Sequence, residues 1–89
     1  MGFDVRAYLA EQLGCGADEL VLLDGPTYQQ DRSERATYAR RPASLKAGQV
    51  TIGPMRRNLA GVVRRLVTAT WGSGGKGQRD IGPYEPVSW

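Results

Sequence analysis

The 89-residue chain has no histidine and one cysteine, Cys15. Without histidine there is no imidazole to act as a general base near neutral pH, and a lone thiol cannot close an intrachain disulfide. A conventional zinc site, built from several Cys and His ligands, is disfavoured on the same grounds. Cys15 lies between Gly14 and Gly16, with no activating partner that the sequence can name, and reads as an inert small side chain. Asp18, Glu19 and Asp24 offer carboxylates, but no oxygen-rich loop surrounds them to hold a hard cation or tune an acid/base pair. The expectation is a protein that is not an enzyme and that carries no cofactor and no metal.

Long apolar runs are also missing. No stretch approaches the ~18 residues that would span a bilayer, and the N-terminus lacks a basic segment followed by an apolar one. Membrane insertion and export are therefore disfavoured, and a cytoplasmic or virion setting is expected. Met1-Gly2 suggests N-myristoylation, but Arg6 stands where that pattern needs Ser or Thr. A chain this short buries only about 60 to 65% of the surface it exposes when unfolded, so its core is modest. With no disulfide or metal in reach, association is the remaining source of added stability.

Acid is absent from one long stretch, with no Asp or Glu between Arg35 and Arg79. From Met1 to Asp31 six acids face the single Arg6. From Arg32 to Arg79 eleven basic residues face one acid, Glu34, and Asp80 and Glu85 then bring the chain to +3. Ten of the twelve basic residues are Arg, the side chain that grips carboxylates and phosphates with two prongs and stacks on flat rings. High-GC coding also raises Arg over Lys, but it would spread the arginines evenly. The segregation points instead to an anionic partner, or to an internal match between the acidic first third and the basic middle.

What is present suggests an α+β domain over residues 1–70, followed by a Gly-rich linker and an extended aromatic arm over 71–89. Asp4 is an N-cap and Gly14 with Gly16 a left-handed stop, predicting a helix from about Asp4 to Leu13. Glu19 to Leu23 reads as a short buried strand closed by Asp24-Gly25-Pro26, with a helical turn over Ala17 to Leu20 as its rival. Thr27 to Glu34 reads as a loop or the flared end of a hairpin, Arg35 to Arg40 as an edge strand ended by Pro42, and Gln49 to Ile52 as a third strand. The antiparallel β region thus has two or three strands.

A second helix is predicted from Pro54 to about Thr70. Pro54 takes the first helical position, and Met55, Leu59, Val62, Val63, Leu66 and Ala69 fall within a sector of roughly 120°. The opposite side carries Arg57 and Arg64, with Arg65 and Arg56 on its flanks. Exposed helix faces are normally charged, but they mix signs, and this one does not.

Gly72-Ser73-Gly74-Gly75-Lys76-Gly77 matches the G-x-G-x-x-G spacing of dinucleotide sites. It follows a predicted helix and opens none, so the phosphate-cradling context is missing. It also departs from the P-loop pattern, since Gly77 follows Lys76 and Thr70 stands where the first glycine belongs. A linker is the better reading. Beyond it, Pro83 and Pro86 hold the chain extended, and Trp71, Tyr84 and Trp89 supply aromatic anchors for docking on another subunit or for folding back onto the domain itself.

The leading expectation is a structural or assembly protein, such as a component of a phage virion or another large complex or homo-oligomer. Its partner-binding residues would be Arg56, Arg57, Arg64, Arg65, Trp71, Tyr84 and Trp89. A nucleic-acid-binding protein is the alternative, with Arg32, Arg35, Arg40, Arg41, Arg57 and Arg64 on phosphates and Tyr28 and Tyr38 available for stacking. No helix-turn-helix spacing, zinc finger or RNP motif supports it. An inhibitor or regulator of a single host protein is a third reading.

Overall fold

The computed structural model describes residues 2–42 and 46–89. After a two-residue strand β1 (Phe3–Asp4) comes the helix α1 (Val5–Leu13) and a short 3-10 turn (Ala17–Glu19). Five strands follow: β2 (Leu20–Tyr28), β3 (Glu34–Arg40), β4 (Lys46–Arg57), β5 (Val63–Trp71) and β6 (Gly75–Ile81). They form one antiparallel sheet in chain order, each strand beside the next. A last strand β7 (Val87–Ser88) pairs in parallel with β1.

This corrects the expected α+β arrangement of two helices with a two- or three-stranded β region. The domain is mostly β, with one α-helix among the described residues. The predicted second helix, Pro54 to Thr70, is instead the end of β4, a tight turn and β5. Its sequence serves both patterns. Met, Leu, Arg and Ala favour helix and line up at helical spacing, while Val67, Ala69 and Trp71 alternate with Leu66, Thr68 and Thr70 at strand spacing. Tertiary pairing decides for the strand, because β5 gains partners on both sides, Gln49 to Ile52 of β4 and Gly75 to Ile81 of β6. Pro54, read as a helix start, sits where the β4–β5 register shifts between Ile52 and Met55, a position that tolerates the missing N–H.

The extended C-terminal arm is corrected as well. Gly72 to Gly74 turn the chain and Gly75 to Ile81 form the fifth strand. Gly75 lies so close under the Trp71 indole that a β-carbon there would collide with it, which lets the ring lie flat on the hairpin. The segment after β6 folds back, with β7 on β1 and Trp89 packed against the core.

α1 covers one face of the sheet. Asp4 caps it by accepting from the Ala7 N–H at 3.0 Å, and Gly14 closes it in the left-handed region (φ 72°). Val5, Tyr8 and Leu9, spaced to share one side of the helix, are buried against Ala36 and Tyr38 of β3, Val50 and Ile52 of β4, Val67 and Ala69 of β5, and Ile81 of β6. Gly48 permits the close approach, since a β-carbon there would stand 3.0 Å from Leu9 Cδ1. The opposite face carries Thr37, Gln49, Thr51, Thr68, Thr70 and Gln78, the neighbours of these core residues in each strand, and no helix of the described residues covers it. No helix of the described residues is long and apolar enough to cross a membrane.

Tyr38 ties the two ends of the core together. Its ring is fully buried and its hydroxyl donates to the backbone oxygen of Trp89. Burial above all, with a smaller opposing pull from Arg6, pushes its pKa from 10.0 up to about 12. The unfolded chain would release this proton near pH 10, whereas the folded one holds it to about 12. The stability it contributes is therefore complete below pH 10 and is lost as pH rises through that interval. Tyr38→Phe should lower stability by about 1 kcal/mol through the lost hydrogen bond. In an alkaline titration followed by tyrosinate absorbance, it should also remove a late step that coincides with unfolding in the parent.

Candidate docking surface

β4 and β5 continue beyond the five-stranded sheet. β3 accompanies β4 only as far as Ile52, and β6 accompanies β5 only as far as Arg65. Arg56–Arg57 and Val63–Arg64 therefore pair with each other alone, as a two-stranded ribbon running roughly 7 Å before its turn begins. The molecule is correspondingly long, 43 × 27 × 25 Å.

The turn is tightly organised by one side chain. Asn58 Oδ1 accepts from the N–H groups of Ala60 (3.0 Å) and Val62 (2.9 Å), while the backbone of Asn58 is bonded to Gly61 and Val62. Gly61 takes φ 80°, a conformation costly for a residue with a β-carbon. Arg57 Nη1 donates to Gly61 O at 3.1 Å and braces the loop from below. This rigid turn holds Leu59 wholly in solvent, and Met55 and Val62 are each about half exposed. Isolated two-stranded hairpins are marginal in water, so an apolar tip on such a ribbon is a feature that a partner would stabilise.

Arg56 and Arg64 are directly opposed in the register, on the face away from α1. Directly opposed residues have β-carbons about 4.5–5.5 Å apart, and like charges placed so repel. The described ion pairs are Arg40–Glu19 at 3.1 Å and Arg65–Glu34 at 3.4 Å, and neither relieves this repulsion. Arg64 reaches only the backbone oxygen of Asp80, at 3.5 Å. Arg56, Arg57 and Arg64 surround a depression of about 240 Å³ with Asn58, Leu66 and Asp80. Arginines beside the Leu66 side chain fit a carboxylate or phosphate next to an apolar group.

The other expected partner-binding residues lie elsewhere. Arg65 turns to the helix side, where it bonds Glu34 and donates from Nε to Gly53 O at 2.8 Å. Trp71 and Trp89 are partly buried against the core, and Tyr84 alone of that aromatic set is well exposed. Of the residues expected on nucleic acid, Arg57 and Arg64 share the ribbon, and Arg35 is exposed on the open face between Thr27 and Thr51. Arg32 lines a groove with Tyr28, Pro54, Met55 and Pro83. Arg40 and Arg41 stand at the far end of β3, Arg40 held by Glu19. Tyr38, considered for stacking, is buried in the core, while Tyr28 is exposed.

The acidic first third thus claims Arg40 through Glu19 and leaves the ribbon unmatched. Glu19 is held below the usual carboxylate range, first by the Gly16 N–H it accepts and then by Arg40. A helix over residues 54–70 leaves no place for the ribbon. The available signal was Asn58 and Gly61 around a short apolar step, flanked by β-branched residues.

No protein-family model, curated protein or solved structure matches this chain.

The opposed arginines give a direct test. Arg64→Glu replaces a repelling pair with an attracting one and should raise stability by about 0.5–1 kcal/mol, read as a higher midpoint in thermal or denaturant unfolding. The gain should shrink in high salt. A lower midpoint would mean that the arginines are already neutralised within the fold.

Proposed function

We propose that this protein is a non-enzymatic assembly component, of a virion or another large complex, that docks onto a protein partner through the β4–β5 ribbon. The observation that carries this reading is Leu59, presented in solvent by a hydrogen-bonded turn and flanked by three arginines that have no acid partner among the described residues. An exposed apolar anchor on a preorganised loop loses little conformational freedom on binding, so more of its contact energy appears as affinity. The arginines would steer the encounter toward an acidic surface and fix its register.

A second reading, nucleic-acid binding, draws on the same ribbon. Two-stranded ribbons fit the major groove, and Arg56, Arg57 and Arg64 are suited to phosphates and base edges. Met55, Leu59 and Val62 favour protein, because neither phosphate nor a base edge other than thymine's methyl offers them an apolar contact.

The test places a photo-crosslinking p-benzoylphenylalanine at position 59 in the native host and identifies the adducts. One discrete protein adduct is expected, reduced about tenfold or more when Arg56, Arg57 and Arg64 are changed to Glu. In parallel, binding to a DNA duplex and to a single strand is titrated against salt. Absence of a protein adduct, together with salt-dependent DNA binding that the same changes abolish, would replace the assembly reading with the nucleic-acid one.

A further inference from the structure

The sheet has two edges, and they are built differently. β2 is irregular, with two register shifts against β3 and with Pro26 inside it, devices that keep an edge from pairing with another chain. β6 has neither. Its seven residues pair with β5 in unbroken register from Arg65–Ile81 to Trp71–Gly75, without proline. Every second residue of such a strand turns its N–H and C=O away from the sheet.

The charges on β6 are self-complementary. Lys76, Gln78 and Asp80 alternate along the face away from α1, and all three are exposed. Lys76 and Asp80 lie four residues apart, about 13 Å along an extended strand, too far to pair with each other. Neither belongs to an ion pair among the described residues. An antiparallel copy of the same strand, related by a two-fold axis through Gln78, places Lys76 of each copy opposite Asp80 of the other. The two Gln78 amides then meet on the axis, where each can donate and accept.

We propose that β6 is the seam of a homodimer in which two five-stranded sheets join edge to edge in this register. The pairing satisfies the free backbone groups of β6, forms two cross-strand ion pairs and is isologous, as a closed two-fold interface requires. It uses no residue of β4 or β5 and is read by a separate measurement, although Asp80 also borders the ribbon's depression. Arg79, on the helix side, stays over the Phe3 ring at 5.7 Å and takes no part.

Sedimentation equilibrium on the full chain tests it, with Lys76→Glu, Asp80→Lys and the double reversal as variants. The parent is expected to be dimeric. Each single reversal sets like charges opposite each other twice and should weaken the dimer about tenfold or more. The double reversal should recover most of that loss, since the pairs re-form with their signs exchanged. Circular dichroism confirms that these surface changes leave the fold intact. A parent that remains monomeric up to about 1 mM overturns the proposal. So does a dimer indifferent to both single reversals, or a double variant no tighter than the singles.

Discussion

One short helix has to cover one long sheet, and the rest of the molecule follows from that mismatch. α1 has nine residues, about 14 Å of helix, whereas β4 has twelve, about 40 Å of strand. The helix can seal only the middle of one face. Leu9 seats over Gly48, Val5 and Tyr8 extend the contact, and the buried positions of β4 end at Ile52. Past that point β4 and β5 have no core to join. The opposite face, with no helix at all, is dressed in threonine and glutamine, which satisfy a pleated surface without demanding burial.

The ribbon is therefore the part of the chain that the core does not stabilise, and its residues are not those that would best stabilise it. A solvated hairpin is ordinarily favoured by opposite charges across the strands and polar residues at the tip. Here Arg56 faces Arg64, and Leu59 stands in water. Asn58 and Gly61 nevertheless hold the turn in one conformation. A sequence that fixes a loop's geometry while leaving its contacts unfavourable is consistent at the local level and in conflict at the surface level. Such conflicts concentrate where a protein meets its partner.

How far the sequence reveals this depends on whether a residue's local preference agrees with its tertiary use. α1 is legible because Asp4 and Gly14 act as caps in any context. β3 and the middle of β4 are legible because Thr37, Tyr38, Val50 and Ile52 favour strands and alternate. Residues 54–70 are not, since Met55, Leu59, Leu66 and four arginines suit a helix on intrinsic preference, and only pairing with β3 and β6 through β4 and β5 overrides it. The Gly-rich segment hides β6 for a related reason. Gly75 and Gly77 have low strand preference, but they lie beneath Trp71 and beside Tyr8 and Gln12, where a side chain has no room. The basic cluster was visible as charge. Its division into Arg65 on the helix side and Arg56 and Arg64 on the opposite face requires the register.

The two proposed surfaces meet only at Asp80, and the geometry makes them compatible. The ribbon leaves along the strand direction, whereas β6 faces sideways. A two-fold axis through Gln78, perpendicular to the sheet, reverses strand direction between copies and keeps both helices on the same side. The two ribbons then project from opposite ends of a ten-stranded sheet. Two partners could be held at once, and linking two modest docking events raises their joint strength without any new contact. A small domain with a limited core would thus obtain from association both the stability and the avidity that its own 89 residues are too few to supply.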